Sequence, residues 1–329
     1  MNLFQYVRPA EQKSAIAAIA TEPTAKFLGG GTNLLDLMKR NIVQPEKLVD
    51  ITRLPLKGIT KEGNTVSIGA LSRNTEVAED KIILENLPLL AMAINAGASP
   101  QIRNMATVGG NLLQRTRCPY SYDTAMPCNK REPGTGCGAL EGFNRMHAIF
   151  GFSDKCIAVN PSDMNIALSA LDATVIVSSA KGERRISIAD FHRLPGDMPE
   201  KDTTLEKNEL ITAVTIPISP FNKNAYYLKV RDRTSYAFAL VSVAAGLNMD
   251  GNTIKEGRLA MGGVAHKPWR LTEAEKVLAG KPATEASFQN AAEVAMQGAK
   301  AFKYNQFKLK LGLNSIVQAL SVASGLKKV

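Results

Sequence analysis

Four cysteines carry the plainest capacity for chemistry, Cys118, Cys128, Cys137 and Cys156, and the 329-residue chain has no others. All fall within 39 residues, which points to one shared task. Gaps of nine, eight and eighteen residues separate them. This spacing lacks the paired C-x2–4-C knuckles of structural zinc sites, and it is not the C-x2-C-x2-C run of ferredoxins. Two disulfides would suit a small secreted domain better than a chain with cores of its own. Three readings stay open: four-thiolate ligation of a [4Fe–4S] centre, which the spacing favours, then zinc, and free or disulfide-bonded thiols. The loop itself supports the first. Arg115, Arg117, Lys130, Arg131 and Arg145 outnumber Asp123, Glu132 and Glu141, and positive neighbours are expected to lower thiolate pKa and offset cluster charge. Pro119, Pro127, Pro133, Gly134, Gly136 and Gly138 let an irregular backbone wrap a compact core. His147 lies in the same loop and could donate a hydrogen bond to a cluster sulfur.

A second kind of chemistry is anion binding. Lys26 to Leu28 reads as a short strand leading into Gly29-Gly30-Gly31 and a helix in which Thr32 can cap, Asp36 sits in the early turn, and Lys39 and Arg40 close the last turn. Strand, glycines and helix start form a cradle where backbone comes close to a diphosphate and free N–H groups face it. The pattern is neither G-x-G-x-x-G nor a Walker loop, so alone it reads as well as a tight turn. A second pair, Gly109-Gly110, follows Thr107-Val108 and precedes Asn111, and the two loops could converge on one dinucleotide. His147, His192 and His266 are far apart and fit no zinc-hydrolase pattern, and no G-x-S-x-G elbow is present, so hydrolytic chemistry is not indicated.

These residues need a scaffold, and the composition supplies one: 45% hydrophobic and 21% charged residues are globular proportions. The reading expects no membrane insertion, because charged residues or Asn interrupt every apolar run. Met1 to Ala10 has one basic residue and no apolar stretch, so export, if it occurs, is expected to follow a signal on a partner. A net charge of +10 favours acidic partners. The basic tail, with Lys300, Lys303, Lys308, Lys310, Lys327 and Lys328, reads as a solvated helix face rather than a nucleic-acid patch. Along the chain the pattern predicts strands at 3–7, 26–28, 47–51, 59–68 (a hairpin), 174–177 and 210–216, with helices at 9–19, after the glycines, up to Gly97 and over 164–171. Beyond a change of texture at 217–223, three antiparallel strands (226–230, 239–249, 254–261) and three helices (272–278, 284–301, 307–323) predict a second α+β domain.

Ala25 to Leu35 with its three glycines, then Thr107-Val108-Gly109-Gly110-Asn111, then Pro161-Ser162-Asp163, in this order, resemble the FAD-binding medium subunits of molybdenum hydroxylases. Gln114 to Tyr120 with the other three cysteines is similar to the branch, found in periplasmic aldehyde oxidoreductases, whose flavin subunit carries an extra [4Fe–4S] cluster. The resemblance implies an α+β chain: a PCMH/vanillyl-alcohol-oxidase-type FAD-binding domain of two subdomains (1–220), a cluster insertion at about 114–156, and a C-terminal domain (221–329). It implies a first pyrophosphate loop from Lys26, Phe27, Leu28, Gly29, Gly30, Gly31, Thr32, Asn33 and Leu34, with the amides of 30–33 facing phosphate. Thr107, Gly110 and Asn111 would supply the second loop, and Asp163 would hydrogen-bond the cofactor. Ile211 would pack on the isoalloxazine and Lys229 would face its polar edge. Asn33 stands where several relatives carry an acidic residue. The implied cofactors are FAD and, on the four cysteines, one [4Fe–4S] cluster. The implied partners are a large subunit bearing the molybdenum cofactor, where aldehyde is oxidised, and a small [2Fe–2S] subunit. Periplasmic location by co-export is implied, with a cytoplasmic alternative. The same motifs would also serve the flavin subunit of a xanthine or purine dehydrogenase. A basic iron–sulfur nucleic-acid-binding protein is the reading from another class, and the paired glycine loops speak against it.

Overall fold

The computed structural model describes residues 1–328. Val329, the end of the expected C-terminal domain, lies outside the described residues. The chain begins with two parallel βαβ steps, β1 (Gln5–Val7), α1 (Gln12–Ala20), β2 (Lys26–Leu28), α2 (Leu34–Lys39) and β3 (Lys47–Asp50), with β3 in the middle of the sheet. Its core is small: Ala15, Ile16 and Ile19 of α1 close on Val49, Ile51 and Leu54. Polar ties reinforce it. Asp50 accepts from Tyr6, from Arg8 Nε at 2.7 Å and from the Thr52 amide at 2.8 Å. Because Asp50 is the register partner of Leu28, these bonds anchor the strand that delivers the three glycines.

Next comes the hairpin β4 (Ile59–Glu62) and β5 (Thr65–Gly69), then short helices α3 (Asn74–Glu79), α4 (Lys81–Asn86), α5 (Pro88–Ala96), α6 (Pro100–Arg103), α7 (Val108–Leu112) and α8 (Pro119–Tyr122). After the cysteine segment follow α9 (Asp163–Ala170), β6 (Thr174–Ser179), β7 (Gly182–Ser187), α10 (Ile188–Phe191) and β8 (Leu210–Pro217). The second sheet has the order β4-β5-β8-β6-β7 and is antiparallel throughout.

The C-terminal domain is a four-stranded antiparallel sheet of β9 (Ala225–Val230), β10 (Val241–Asp250), β11 (Thr253–Gly262) and β12 (Trp269–Arg270), in the order β12-β11-β10-β9, with α11 (Thr272–Leu278), α12 (Glu285–Ala295) and α13 (Phe307–Ala323). β10 is buried over seven successive residues because both of its faces are covered. Val241, Val243, Ala245 and Leu247 join the core under α12 and α13, whereas Ala244 joins the core of the preceding domain with Ile166 and Ala167 of α9. A period of two along one strand thus joins the two domains.

Several expectations need correction. The C-terminal sheet has four strands, since two-residue β12 leaves no periodic signal. The exposed β7 and the single-turn α10 are additional. The helix expected to end near Gly97 is three short helices, broken at Asp80 and Leu87. α9 starts at Asp163 with Ser162 as its cap, so Pro161 lies just outside the helix. Thr32 does not cap α2; Asn33 holds that position, and its side chain accepts from the Arg115 amide instead. The basic tail is not wholly solvated, because Lys308 is completely buried.

Candidate functional site

A cavity of about 760 Å³ opens between the N-terminal helices and the C-terminal domain, within the usual range of cofactor pockets, ~300–1,000 Å³. The sequence-expected residues Thr32, Asn33, Gly110, Asn111, Asp163 and Lys229 all line it. Arg40, Arg103, Arg117 and Arg233 also reach its wall, against the acidic Asp36 and Asp232. This cationic surplus suits a diphosphate.

The two glycine loops meet behind this wall and behave differently. In the first, the amides of Gly30, Gly31, Thr32 and Asn33 donate to no protein acceptor among the described residues. Gly31 has φ +73, the left-handed turn that aligns these donors ahead of α2. The Asn33 side chain is fixed by accepting from the Arg115 amide at 2.9 Å, while its buried Nδ2 has no partner. Asn74 Oδ1, on the same cavity, is a second buried orphan. In the second loop the amides of 108–111 are used: Val108 donates to Ser72 O, Gly109 to Ala70 O, Gly110 to Thr107 Oγ1 and Asn111 to Thr107 O. Its glycines therefore admit close packing rather than present donors. Gly30 admits close packing in the first loop as well, while its amide stays free. A Cβ there would lie 1.9 Å from Met105 O, so bulk at Gly30 meets the neighbouring backbone, not the phosphate path.

Asp163 and Lys229 form a buried ion pair at 2.7 Å on the cavity wall. Lys229 Nζ also donates to Ala96 O at 3.0 Å, and the other Asp163 oxygen accepts from Tyr227 OH at 2.8 Å. Burial, and then Asp163 beside it, push the Tyr227 phenol pKa well up, so it remains a donor. Lys26, Phe27 and Leu28 lie on β2 leading to the cavity; Gly29, Gly30, Gly31 and Leu34 are not among its lining residues, and Thr107 caps α7 beneath it. Ile211 is buried in the core of the second sheet, opposite Val177, away from the cavity lining. The sequence reading missed the 232–238 segment and Ala98. Ala98 (φ 49) and Tyr236 (φ 51) line the cavity in the left-handed region, a strain that concentrates at binding sites and that neither residue type announces.

The cysteine segment folds as a lobe joined to this cavity. Cys128 and Cys137 sit opposite each other in a β-bridge, Asn129 N donates to Gly136 O at 2.7 Å, and Asn129 Oδ1 accepts from the Gly134 and Gly136 amides. The turn-rich stretch is thus satisfied internally. All four cysteines are free thiols, which removes the disulfide reading, and all four line one small cavity together with Lys130. At two of them burial dominates protonation. It raises the Cys118 thiol to about 12 and that of Cys156 to about 11, outweighing the lowering by Lys130 at Cys156. The expected lowering by positive neighbours is therefore overridden, and binding a metal centre must displace protons. His147 Nε2 lies 3.1 Å from Cys118 Sγ, and the Ala158 amide points at Cys156 Sγ at 3.5 Å. Lys130 is itself buried, donating to Pro199 O at 2.7 Å and to Asp202. Arg115 bonds Asp202 at 3.0 Å, so one residue ties the Asn33 loop to the lobe. Burial opposes an ionised Asp202, yet Lys130 and Arg115 outweigh it and hold its pKa at about 2. His192 and His266 are structural: buried and neutral, with pKa lowered to about 4 by burial, they bond Leu112 O and Arg193 O.

A cavity of about 160 Å³ carries Cys118 and His147 on its wall and shares Arg117, Met146, Pro161, Asp163 and Phe238 with the larger one. One layer of side chains therefore separates the thiol lobe from the dinucleotide-sized site. Among the described residues no group of three or more His, Cys, Asp or Glu side chains is placed to hold a single metal ion. No helix among them is long and apolar enough to cross a membrane.

An FAD-sized cavity between an α+β domain with an open diphosphate cradle and a second α+β domain agrees with family comparison. A profile described as "FAD binding domain in molybdopterin dehydrogenase" matches residues 2–219, and one described as "CO dehydrogenase flavoprotein C-terminal domain" matches 225–306. The chain belongs to the FAD-binding medium subunits of the molybdenum hydroxylases, and is an oxidoreductase subunit. It is 46% identical over 325 residues, 98% of this chain and 99% of the relative, to the aldehyde oxidoreductase FAD-binding subunit PaoB of Escherichia coli (strain K12). It is 30% identical over 279 residues, 84% of this chain and 82% of the relative, to the glyceraldehyde dehydrogenase medium chain of Sulfolobus acidocaldarius. Among solved structures it is similar to a chain of carbon monoxide dehydrogenase from Hydrogenophaga pseudoflava, with a TM-score of 0.77, 27% identity and 98% of each chain covered.

Proposed function

We propose that this chain is the flavin and iron–sulfur electron-transfer subunit of a molybdenum-dependent aldehyde oxidoreductase, with a molybdenum-binding large subunit and a small [2Fe–2S] subunit as partners. FAD would lie in the large cavity, its diphosphate on the free amides of 30–33 and on Asn33 Nδ2, with arginines offsetting its charge. The buried Asp163–Lys229 pair would orient polar edges of the cofactor where the two domains meet. Bound FAD would supply the exchange between one-electron arrivals and a two-electron departure. The protein's own work is to place, neutralise and shield.

The four thiols would hold one [4Fe–4S] cluster, and the observation that carries this is their convergence, with Lys130, on one small cavity. A cubane cluster takes each thiolate at a different iron. Lys130 offsets charge and His147 with the Ala158 amide offers N–H groups to sulfur, as cluster sites require. The aldehyde substrate and the partners rest on the relationship to the aldehyde oxidoreductase subunit. Assaying the purified chain with an aldehyde and an artificial acceptor tests this reading: turnover is expected only after assembly with a molybdenum-bearing subunit. Turnover by the chain alone, without molybdenum, would contradict it.

A further inference from the structure

Lys308, the second residue of α13, is completely buried and yet has no carboxylate partner. Its Nζ donates to His147 O at 2.9 Å and to Gly263 O at 2.7 Å. Burial, helped by the like charge of Arg145, lowers its pKa to about 7. An unpaired buried ammonium is unfavourable and normally finds an anion. Fully buried Asn305, one turn earlier in the chain, donates its side-chain amide to His147 O and Ala148 O, both at 3.2 Å. Two side chains of the C-terminal domain thus grip the main chain at 147, a residue of the cysteine lobe. The held ring turns Nε2 toward Cys118 Sγ at 3.1 Å, while Nδ1 is buried without any partner. With Cys118 as a ligating thiolate the sulfur can only accept, so the ring hydrogen would sit on Nε2, facing it.

We propose that Lys308 is the positioning residue of the cysteine centre: it fixes His147 so that Nε2–H donates to Cys118 Sγ. This rests on the [4Fe–4S] reading above. It couples the two domains, because the side chain that steadies one ligand of the lobe comes from α13. An N–H bond to sulfur favours the more negative, reduced cluster, so Lys308, by holding His147, raises its reduction potential.

The test is an EPR-monitored redox titration of the anaerobically prepared full chain, with iron, sulfide and FAD measured in the same samples. In Lys308→Met the cluster and FAD are expected to be retained and the cluster midpoint to shift downward. Lys308→Gln, which keeps N–H donors for the two carbonyls without the charge, is expected to shift it less. Full iron, sulfide and FAD with an unchanged midpoint in Lys308→Met would overturn the role of Lys308 and leave the cluster reading standing. Wild-type protein without iron and sulfide would overturn the cluster reading itself. Should neither variant fold, pulsed EPR of wild-type protein carrying 15N-histidine decides: coupling of a histidine nitrogen and an exchangeable proton to the reduced cluster is expected, and its absence overturns the proposal.

Discussion

The cofactor cleft and the cysteine lobe share a wall but follow opposite strategies. The cleft keeps donors unspent: the four successive amides of 30–33 and Asn33 Nδ2 have no protein partner, and Thr32, Asn33 and several arginines line a large open volume. The lobe spends nearly everything. Its backbone is bonded to itself, its lysine is buried on Asp202, and its thiols are so desolvated that two of them have strongly raised pKa values. A site for a large polar cofactor must leave hydrogen-bonding capacity to be met by the ligand, whereas a site for an inorganic core needs a rigid shell that lets thiolates form only when metal replaces protons.

That contrast predicts separable damage. The largest effect is expected from Cys128→Ser, which should abolish or convert the iron–sulfur centre while leaving FAD content near that of the wild type; parallel loss of flavin would show the two sites to be one unit. Gly30→Ala should come next. Its Cβ would lie 1.9 Å from Met105 O, so backbone must move, at more than the roughly 1–3 kcal/mol of ordinary overpacking. Thermal unfolding should show a large loss there, against about 1–2 kcal/mol for Gly63→Ala, where a positive φ is strained but the space is open.

Within the cleft, Lys229→Met strands Asp163 as a buried charge and should cost about 3–5 kcal/mol in denaturant unfolding. The double variant with Asp163→Asn should recover part of this; simple additivity would mean that the pair is not coupled. Asn33→Ala removes one donor to the cofactor and the acceptor of the Arg115 amide, and should weaken FAD by about 1–3 kcal/mol, roughly 5- to 150-fold in Kd, with iron content unchanged. The smallest effect concerns the sheet that carries the cradle. Burial works against ionised Asp50, but bonds from Thr52, Tyr6 and Arg8 prevail and hold its pKa at about 2, below the ~3.9 of an unfolded chain. Its stabilisation is therefore present above about pH 4 and lost as pH falls toward 2. Asp50→Asn should flatten the stability profile in that window, and an equally steep profile would count against the clamp.

How much of this was legible in the sequence follows from how local each feature is. β2, the three glycines and the start of α2 were readable because strand, turn and helix signals lie side by side, and β11 with α11 and α13 for the same reason. The glycines could not say which loop keeps its amides free, since that depends on Ser72 and Ala70 lying across the second loop. Lys308 looked like a surface charge because burial of a lysine depends on carbonyls distant in the chain, as the burial of Lys130 also does. Tyr236 and Ala98 adopt left-handed backbone without the residue types that usually mark it. The convergence of the cysteines was suggested by their clustering, but the desolvation that reverses the expected pKa shift at Cys118 and Cys156 appears only once the lobe is closed.

The most direct measurement is the composition of the anaerobically purified full chain: flavin by absorbance, with iron and acid-labile sulfide by chemical analysis. This account predicts one FAD, four iron and four sulfide per chain, with iron falling and FAD persisting when a single cysteine is replaced. Zinc without sulfide, or a chain that holds iron but no flavin, would contradict it.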